Sequence, residues 1–317
     1  MRIRILGSAA GGGFPQWNCG CGNCVAVRTH TRAEKFSGKA RTQAQLALSA
    51  DGATWFLAGA SPDLSRQIEN SPDLHPRALP DTPRDSPIAG VVLGSCDLDH
   101  VAGLLLLREL QPLRVYAAPS ILRILREENS MFGMLDRVEP QVVWTSIDSE
   151  ALFSLQSADG KDSGLRCAVH YLTGRYPKYV KTEVAKLGRD EATAALFFQS
   201  SSQDSSSGKR VAYIPAIGSL SDALLEKIAG VDLLLFDGTF WSDDELQRVQ
   251  GSGETAHQMG HIPVEESLRL LENVKVARKM FIHLNNTNPM LNELSTERQA
   301  VRQAGWEVAE DNWQLEL

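Results

Sequence analysis

Three cysteines crowd into one short stretch, Cys19-Gly20-Cys21-Gly22-Asn23-Cys24. A C-x-C-x-x-C run with glycines between the thiols lets the backbone turn, so that three thiolates converge on one tetrahedral ion, with zinc as the default. The flanking residues read as loop, which leaves the ligands unconstrained by a helix or strand. The alternative is three free thiols beside an exposed loop. A closed structural site needs a fourth ligand, and the sequence does not name it. His30 is near along the chain, which is weak grounds. Cys96 and Cys167 sit beside or within apolar runs and read as buried, inert thiols.

A second set of groups ends several apolar runs. Ser95-Cys96-Asp97-Leu98-Asp99-His100 follows Ile88–Leu93, Phe236-Asp237-Gly238-Thr239 closes Asp232–Phe236, and His283 closes Lys279–His283. Met259-Gly260-His261 adds an imidazole just before a helix. Each residue has an ordinary reading: Asp97 or Asp99 caps the helix that follows, and a lone histidine is satisfied in the core. Their joint occurrence at strand ends is what a metal centre on a sheet edge needs. His170 lies in an apolar strand, where a histidine is usually structural, and its place as a further ligand stays open; His75 and His257 receive no role.

These groups need a scaffold. Strands are expected at Arg2–Leu6, Ala44–Ser49 and Thr54–Leu57, with hairpin chemistry at Ala50-Asp51-Gly52. A helix at Pro62–Asn70 and a surface loop at Asp73–Pro87 come next. Then come strand Ile88–Leu93, helix Val101–Leu110, strand Val115–Ala117, helix Ile121–Glu128 and strand Gln141–Trp144. The second half repeats the mixture. Its strands are Leu165–Leu172, Ala194–Gln199, Val211–Ile214, Asp232–Phe236 and Lys279–His283, and its helices Leu220–Ala229, Val264–Asn273 and Gln299–Ala304. Short strands lie near Trp306–Val308 and Trp313–Leu315, and Ser200–Ser207 reads as a mobile hairpin tip. Strands alternating with single helices in both halves, with no linker between, suggest two packed sheets with helices outside. A dinucleotide-binding fold competes, because Gly7–Gly13 follows the first strand. The spacing is not G-x-G-x-x-G, however, and Phe14-Pro15-Gln16-Trp17 does not start a helix.

Composition narrows the function classes. A chain of 317 residues, 43% hydrophobic, buries a core without help from disulfides. Lys plus Arg is 32 against 39 Asp plus Glu, a net charge of −7, which argues against a general nucleic-acid binder. No apolar run is long enough to span a bilayer, and Met1-Arg2-Ile3-Arg4-Ile5-Leu6-Gly7 lacks the pattern of a secretory leader. An odd count of five cysteines, three of them clustered, favours metal over disulfides and a reducing, cytoplasmic setting.

At Asp99-His100, Asp237 and His283 the sequence resembles the metallo-β-lactamase superfamily. The resemblance implies an α/β (αββα) sandwich, two mixed β-sheets flanked by helices, as one domain over 1–317 with a zinc-binding Cys loop at 19–24. It also implies a strand-end H-x-H-x-D-H motif, followed by a later Asp and a later His. Asp99-His100 matches the closing D-H, while Ser95 and Asp97 stand where the two leading histidines belong. Gly260-His261 resembles the extra histidine of the tRNA-processing branch. A site reduced in this way implies one metal, so two-ion hydrolysis is disfavoured. A mononuclear N/O site with open positions suits Fe(II), with zinc or manganese as alternatives.

A closer resemblance is to the pyrroloquinoline quinone biosynthesis protein B family. It is carried by the string Gly7 to Cys19, by Arg41-Thr42-Gln43, Asp99-His100-Val101-Ala102-Gly103-Leu104, Phe236-Asp237-Gly238-Thr239 and Met259-Gly260-His261, and by His283 to Pro289. It implies an iron-dependent, O2-using hydroxylation of the tyrosine ring in the cross-linked Glu-Tyr precursor. An older reading of the family is transport of the cofactor or its precursor. On this resemblance Asp99, His100, Asp237 and His283 hold Fe(II), with His261 beside them in proton transfer. Cys19, Cys21 and Cys24 hold a structural zinc. Arg41, Arg175 and Lys178 are candidates for orienting the precursor's carboxylates, against the ordinary reading of solvated surface charges. The expected partners are the small-molecule precursor and O2, with no nucleic acid and no membrane insertion; a homodimer stays open.

Overall fold

The computed structural model describes residues 1–29, 36–77, 80, 82–139, 141–181, 192–200 and 208–317. His30 and the stretch 201–207 of the expected hairpin tip lie outside the described residues. The chain divides into two compact units, one of Met1–Leu6, Gln45–Arg210 and Asn312–Leu317, the other of Gly7–Ala44 and Val211–Asp311.

The first unit carries strands β1 (Arg2–Gly7), β2 (Gln45–Ser49), β3 (Trp55–Ala58), β4 (Ile88–Val92), β5 (Leu113–Ala117), β6 (Val142–Ser146), β7 (Phe153–Gln156), β8 (Asp162–Leu172) and β9 (Thr193–Ser200). The second unit carries β10 (Arg210–Ile214), β11 (Leu233–Asp237), β12 (Arg278–Ile282) and β13 (Glu307–Val308); the final strand β14 (Gln314–Glu316) returns to the first.

A seven-stranded sheet of order β14-β1-β2-β3-β4-β5-β6 belongs to the first unit. Its β14/β1 and β2/β3 pairs are antiparallel, and β3/β4, β4/β5 and β5/β6 are parallel. Asp51 shapes the β2–β3 turn. Its carboxylate accepts hydrogen bonds from Ala53 and Thr54 N–H at 2.8 and 2.7 Å, and Gly52 takes the left-handed φ of +77° that a side chain resists. The helix Pro119–Arg126 contributes Ile121, Ile124 and Leu125 to the unit's core, in one cluster with Leu113, Val115 and Phe132. These positions follow helical spacing, and each fully buried aliphatic contributes roughly 1.5–3 kcal/mol. Strands β7, β8 and β9 form an antiparallel meander.

In the second unit β10, β11, β12 and β13 pair in parallel, in that order. Leu233 to Phe236 are all buried, as a central parallel strand covered on both faces requires. Phe281 stacks on Trp306 at 4.3 Å between ring centres. Serine hydroxyls cap two helices: Ser221 accepts from Leu224 N–H before Asp222–Ile228, and Ser295 from Arg298 N–H before Thr296–Gln303. Among the described residues no helix is long and apolar enough to cross a membrane.

Two local expectations are corrected. The single helix expected at Val101–Leu110 is a short α-helix, Leu98–Val101, running into a 3-10 helix, Ala102–Leu107. Gly103 causes the change: its N–H leaves the helical ladder for Ala60 O at 2.8 Å, and a Cβ there would lie 2.2 Å from Ser61 O. The loop expected around the cysteine cluster contains a helix, Gly22–Arg28, on which Cys24 is buried. Strand β7 and the short helix Glu245–Gln250 were not anticipated, because both are too brief to show a clear apolar period.

Candidate metal centres

In the first unit the chain leaves β4 and turns at Ser95 into the helix bearing His100. That helix is fixed from below, since Ala60 N–H donates to His100 O at 2.7 Å. The buried Ser95 hydroxyl lies 2.9 Å from His100 Nδ1 and also accepts from Asp97 N–H at 3.3 Å. An oxygen that takes the Nδ1–H proton of His100 leaves Nε2 as the lone-pair donor. Nε2 is 3.8 Å from Asp99 Oδ2, a spacing two ligands of one ion can adopt. Ser95, which stands where the superfamily motif has a histidine, thus orients a neighbouring imidazole.

The second unit gathers Asp237, His261 and His283, with donor atoms all within 4.8 Å of one another. Asp237 ends β11 and is fully buried. Each of its oxygens accepts two hydrogen bonds. Oδ1 takes Thr239 N–H at 3.0 Å and the Thr239 hydroxyl at 2.7 Å; Oδ2 takes Ile217 N–H at 3.0 Å and His261 Nδ1 at 2.7 Å. Burial pushes this carboxyl up, but the attraction and hydrogen bond of His261 and those from His283 and Thr239 outweigh it and hold it below its ordinary value. The Thr239 hydroxyl, its proton given to Asp237, accepts from His283 Nδ1 at 2.8 Å. With Nδ1 engaged in this way, Nε2 is the nitrogen through which either imidazole would bind a metal or exchange a proton. Their rings stack at 5.8 Å.

His283 holds a left-handed φ of +63°, an uncommon conformation for a side-chain-bearing residue, found where surrounding structure imposes it. The imposing structure is the glycine-rich N-terminal string. Leu284 N–H donates to Ser8 O at 3.0 Å, and Ala10 N–H returns a bond to Leu284 O at 2.8 Å. That string is anchored in turn by Asp311, which accepts from the Ser8 hydroxyl at 2.7 Å and from Thr42 N–H at 2.7 Å.

Cys19, Cys21 and Cys24 bring their sulfurs within 4.8 Å of one another, so the donor set suits a thiolate-bound ion. Burial pushes the Cys24 thiol up to about 11, so an ion entering here displaces its proton. The Asn286 amide reaches all three sulfurs, at 3.0 Å from Cys19, 3.7 Å from Cys21 and 3.4 Å from Cys24. Sequence reasoning missed Asn286, and only its place in the string after His283 hinted at it. Cys96 and Cys167 are buried, as expected; burial pushes the Cys96 thiol up to about 12.

Arg41 departs from its expected place. It is 5% exposed, and it donates to Ser8 Oγ at 2.9 Å and to Ala309 O. Glu310 and Asp311 stabilise its charge against burial. It braces the loop that carries Ser8 and does not face solvent. Arg41→Ala is expected to lower folding stability by roughly 1–3 kcal/mol, because it leaves the Ser8 hydroxyl and the Ala309 carbonyl without their buried donor. Chemical denaturation measures this, and a variant as stable as the parent would contradict the bracing role. Arg175 and Lys178 are exposed on the segment after β8. His170 binds Glu150 Oε2 at 3.1 Å, His75 binds Glu69 O at 3.1 Å and His257 binds Glu266 Oε1 at 3.1 Å.

Comparison with known proteins bears on the fold and the family. Residues 54–284 match the model of a beta-lactamase superfamily domain. The chain is 40% identical to a coenzyme PQQ synthesis protein B of Rhodopseudomonas palustris (strain BisB5), with 100% of both covered. It is also 40% identical to one of Gluconobacter oxydans (strain 621H), over 99% of this chain and 98% of that one. Zinc-bound PqqB from Methylobacterium extorquens matches with a TM-score of 0.87 at 38% identity, covering 100% of each chain. A diphosphatase of the PhnP family matches at a TM-score of 0.65 and 18% identity, covering 100% of this chain and 97% of that one, which is a likeness of fold. The expected α/β fold of two mixed sheets with helices is borne out. With its whole length aligned to these relatives, the chain belongs to the coenzyme PQQ synthesis protein B family of the beta-lactamase superfamily.

Proposed function

We propose that this protein acts in coenzyme PQQ biosynthesis, in the cytoplasm and as one functional domain, by hydroxylating the tyrosine ring of the cross-linked Glu-Tyr precursor at one Fe(II). The observation that carries the one-metal reading is the hydrogen bond between His100 Nδ1 and the Ser95 hydroxyl. At this motif position a histidine would ligate a second ion; here the side chain is committed to orienting the first ion's ligand. On the resemblance, Asp99, His100, Asp237 and His283 would hold the metal; Asp237 would enter as a ligand by giving up one of its four hydrogen bonds. His261, held by Asp237 through Nδ1, presents Nε2 for proton transfer. Arg175 and Lys178 supply positive charge for the precursor's carboxylates, while Arg41 is buried against Ser8 and Ala309.

When bound, Fe(II) supplies activation of O2. Overall, one oxygen atom of O2 would enter a ring C–H bond as a hydroxyl and the other would leave as water, with two electrons from an external reductant and two protons from solvent. Cys19, Cys21 and Cys24 hold zinc apart from this chemistry.

Thr239→Val tests the positioning of His283. Loss of the hydroxyl leaves Nδ1 without its acceptor, and affinity for the N/O metal is expected to fall about 10–100-fold with the thiolate zinc retained. Unchanged affinity would remove Thr239 from the account. The function itself is tested by giving the Fe(II)-loaded protein the precursor, a reductant and O2. A hydroxylated product supports the proposal. Anaerobic precursor binding with no turnover in O2 favours a carrier, and diester hydrolysis without O2 favours a hydrolase.

A further inference from the structure

Asn286 stands three positions after His283 in the sequence and reaches the thiolate cluster. Around a tetrahedral zinc, with Zn–S about 2.3 Å and Zn–O about 2.0–2.2 Å, an oxygen ligand lies about 3.5 Å from each sulfur. The Asn286 amide sits at 3.0, 3.4 and 3.7 Å from the three sulfurs, at the fourth corner of such a tetrahedron. Its Nδ2 faces the sulfurs, and a half-turn of the amide presents Oδ1 to an ion instead.

The segment His283–Asn288 is tied by a run of hydrogen bonds. Asn23, on the helix that carries Cys24, donates to Asn286 O at 3.2 Å and Asn288 O at 3.1 Å. The Asn288 amide donates to Gly238 O at 2.9 Å and Thr239 O at 3.2 Å, and Asn285 N–H donates to Thr239 O at 3.0 Å. The Thr287 hydroxyl is bound by the buried Glu245 carboxylate. Thr239 closes the path at His283 Nδ1. All of these residues belong to one compact unit. The path ends on a histidine whose left-handed backbone must be held in place.

We propose that the thiolate ion positions His283: held by Cys19, Cys21 and Cys24 with Asn286 as the fourth donor, it fixes the segment His283–Asn288 and thereby sets the metal affinity of the N/O centre. Asn23 and Asn286 are positioning residues for that centre. The inference rests on the reading of His283 as a metal ligand.

Cobalt(II) titration of the metal-free full chain separates the two sites, because thiolate ligation adds an intense near-ultraviolet charge-transfer band that N/O ligation lacks. In Asn23→Ala every thiol remains; the thiolate band is expected to develop fully, while affinity at the N/O centre falls about tenfold. In Asn286→Ala both affinities should fall. In the unsubstituted protein, an organomercurial that displaces the thiolate ion should weaken the N/O centre without any mutation. Full N/O affinity in Asn23→Ala, or in the mercurial-treated protein, would overturn the coupling. His283→Ala is the control for the underlying reading. If it binds cobalt at the N/O centre as tightly as the parent does, His283 is not a ligand; if it loses that binding while Asn23→Ala retains it, only the coupling fails.

Discussion

His283→Ala should retain close to one zinc per chain and lose the second metal. Outer partners of a ligand cost about 10–100-fold in affinity when removed, so loss of the ligand itself is expected to cost at least about 100-fold. Fe(II)-dependent O2 uptake should fall to background at the same time. The separation is the informative part. His283 and the thiolates lie in the same unit, and a general collapse would empty both sites. Element analysis by mass spectrometry, paired with oxygen consumption, reads both outcomes. Undiminished uptake in this variant would sink the proposed ligand set.

The second large effect is expected from Cys21→Ala. Three thiols converge on one position, and the helix Gly22–Arg28 begins directly after Cys21. Structural zinc contributes its binding free energy to folding, on the order of 10–16 kcal/mol in peptides that have no other core. This chain buries a large core of its own, so the expected loss is a fraction of that. The thermal midpoint should fall by roughly 5–10 °C, given about 2–4 °C per kcal/mol in domains somewhat smaller than this chain. Zinc content should drop well below one per chain. Chelator treatment of the parent protein should reproduce the fall, and a variant with an unchanged midpoint would show that the thiolates do not hold a structural ion.

How much of this was legible in the sequence depended on range. Asp99-His100, Asp237 and His283 could be placed at strand ends, because each follows an apolar run of strand length and precedes a turn. The cysteine spacing announced its own chemistry. The partners that complete each site were invisible for one reason. Asn286 stands 262 positions from Cys24, and no local pattern marks a neutral amide as a neighbour of thiols. Arg41 misled for the same reason. Its charge reads as solvent-facing until Glu310 and Asp311, from the far end of the chain, appear around it. Ser95 looked like a lost ligand, and the structure shows what the substitution does instead: its hydroxyl orients His100. The helix Gly22–Arg28 escaped because a run opening with glycine and containing two valines has weak helical propensity, and its stability comes from burying Cys24.

The account turns on one reaction at one metal. The most direct test supplies 18O-labelled O2 to the Fe(II)-loaded protein with the cross-linked Glu-Tyr precursor and a reductant, and weighs the product. The account predicts one 18O atom in the tyrosine ring of the product, dependent on Fe(II) and absent in His283→Ala. A product of unchanged mass, or one carrying oxygen from water alone, would contradict it.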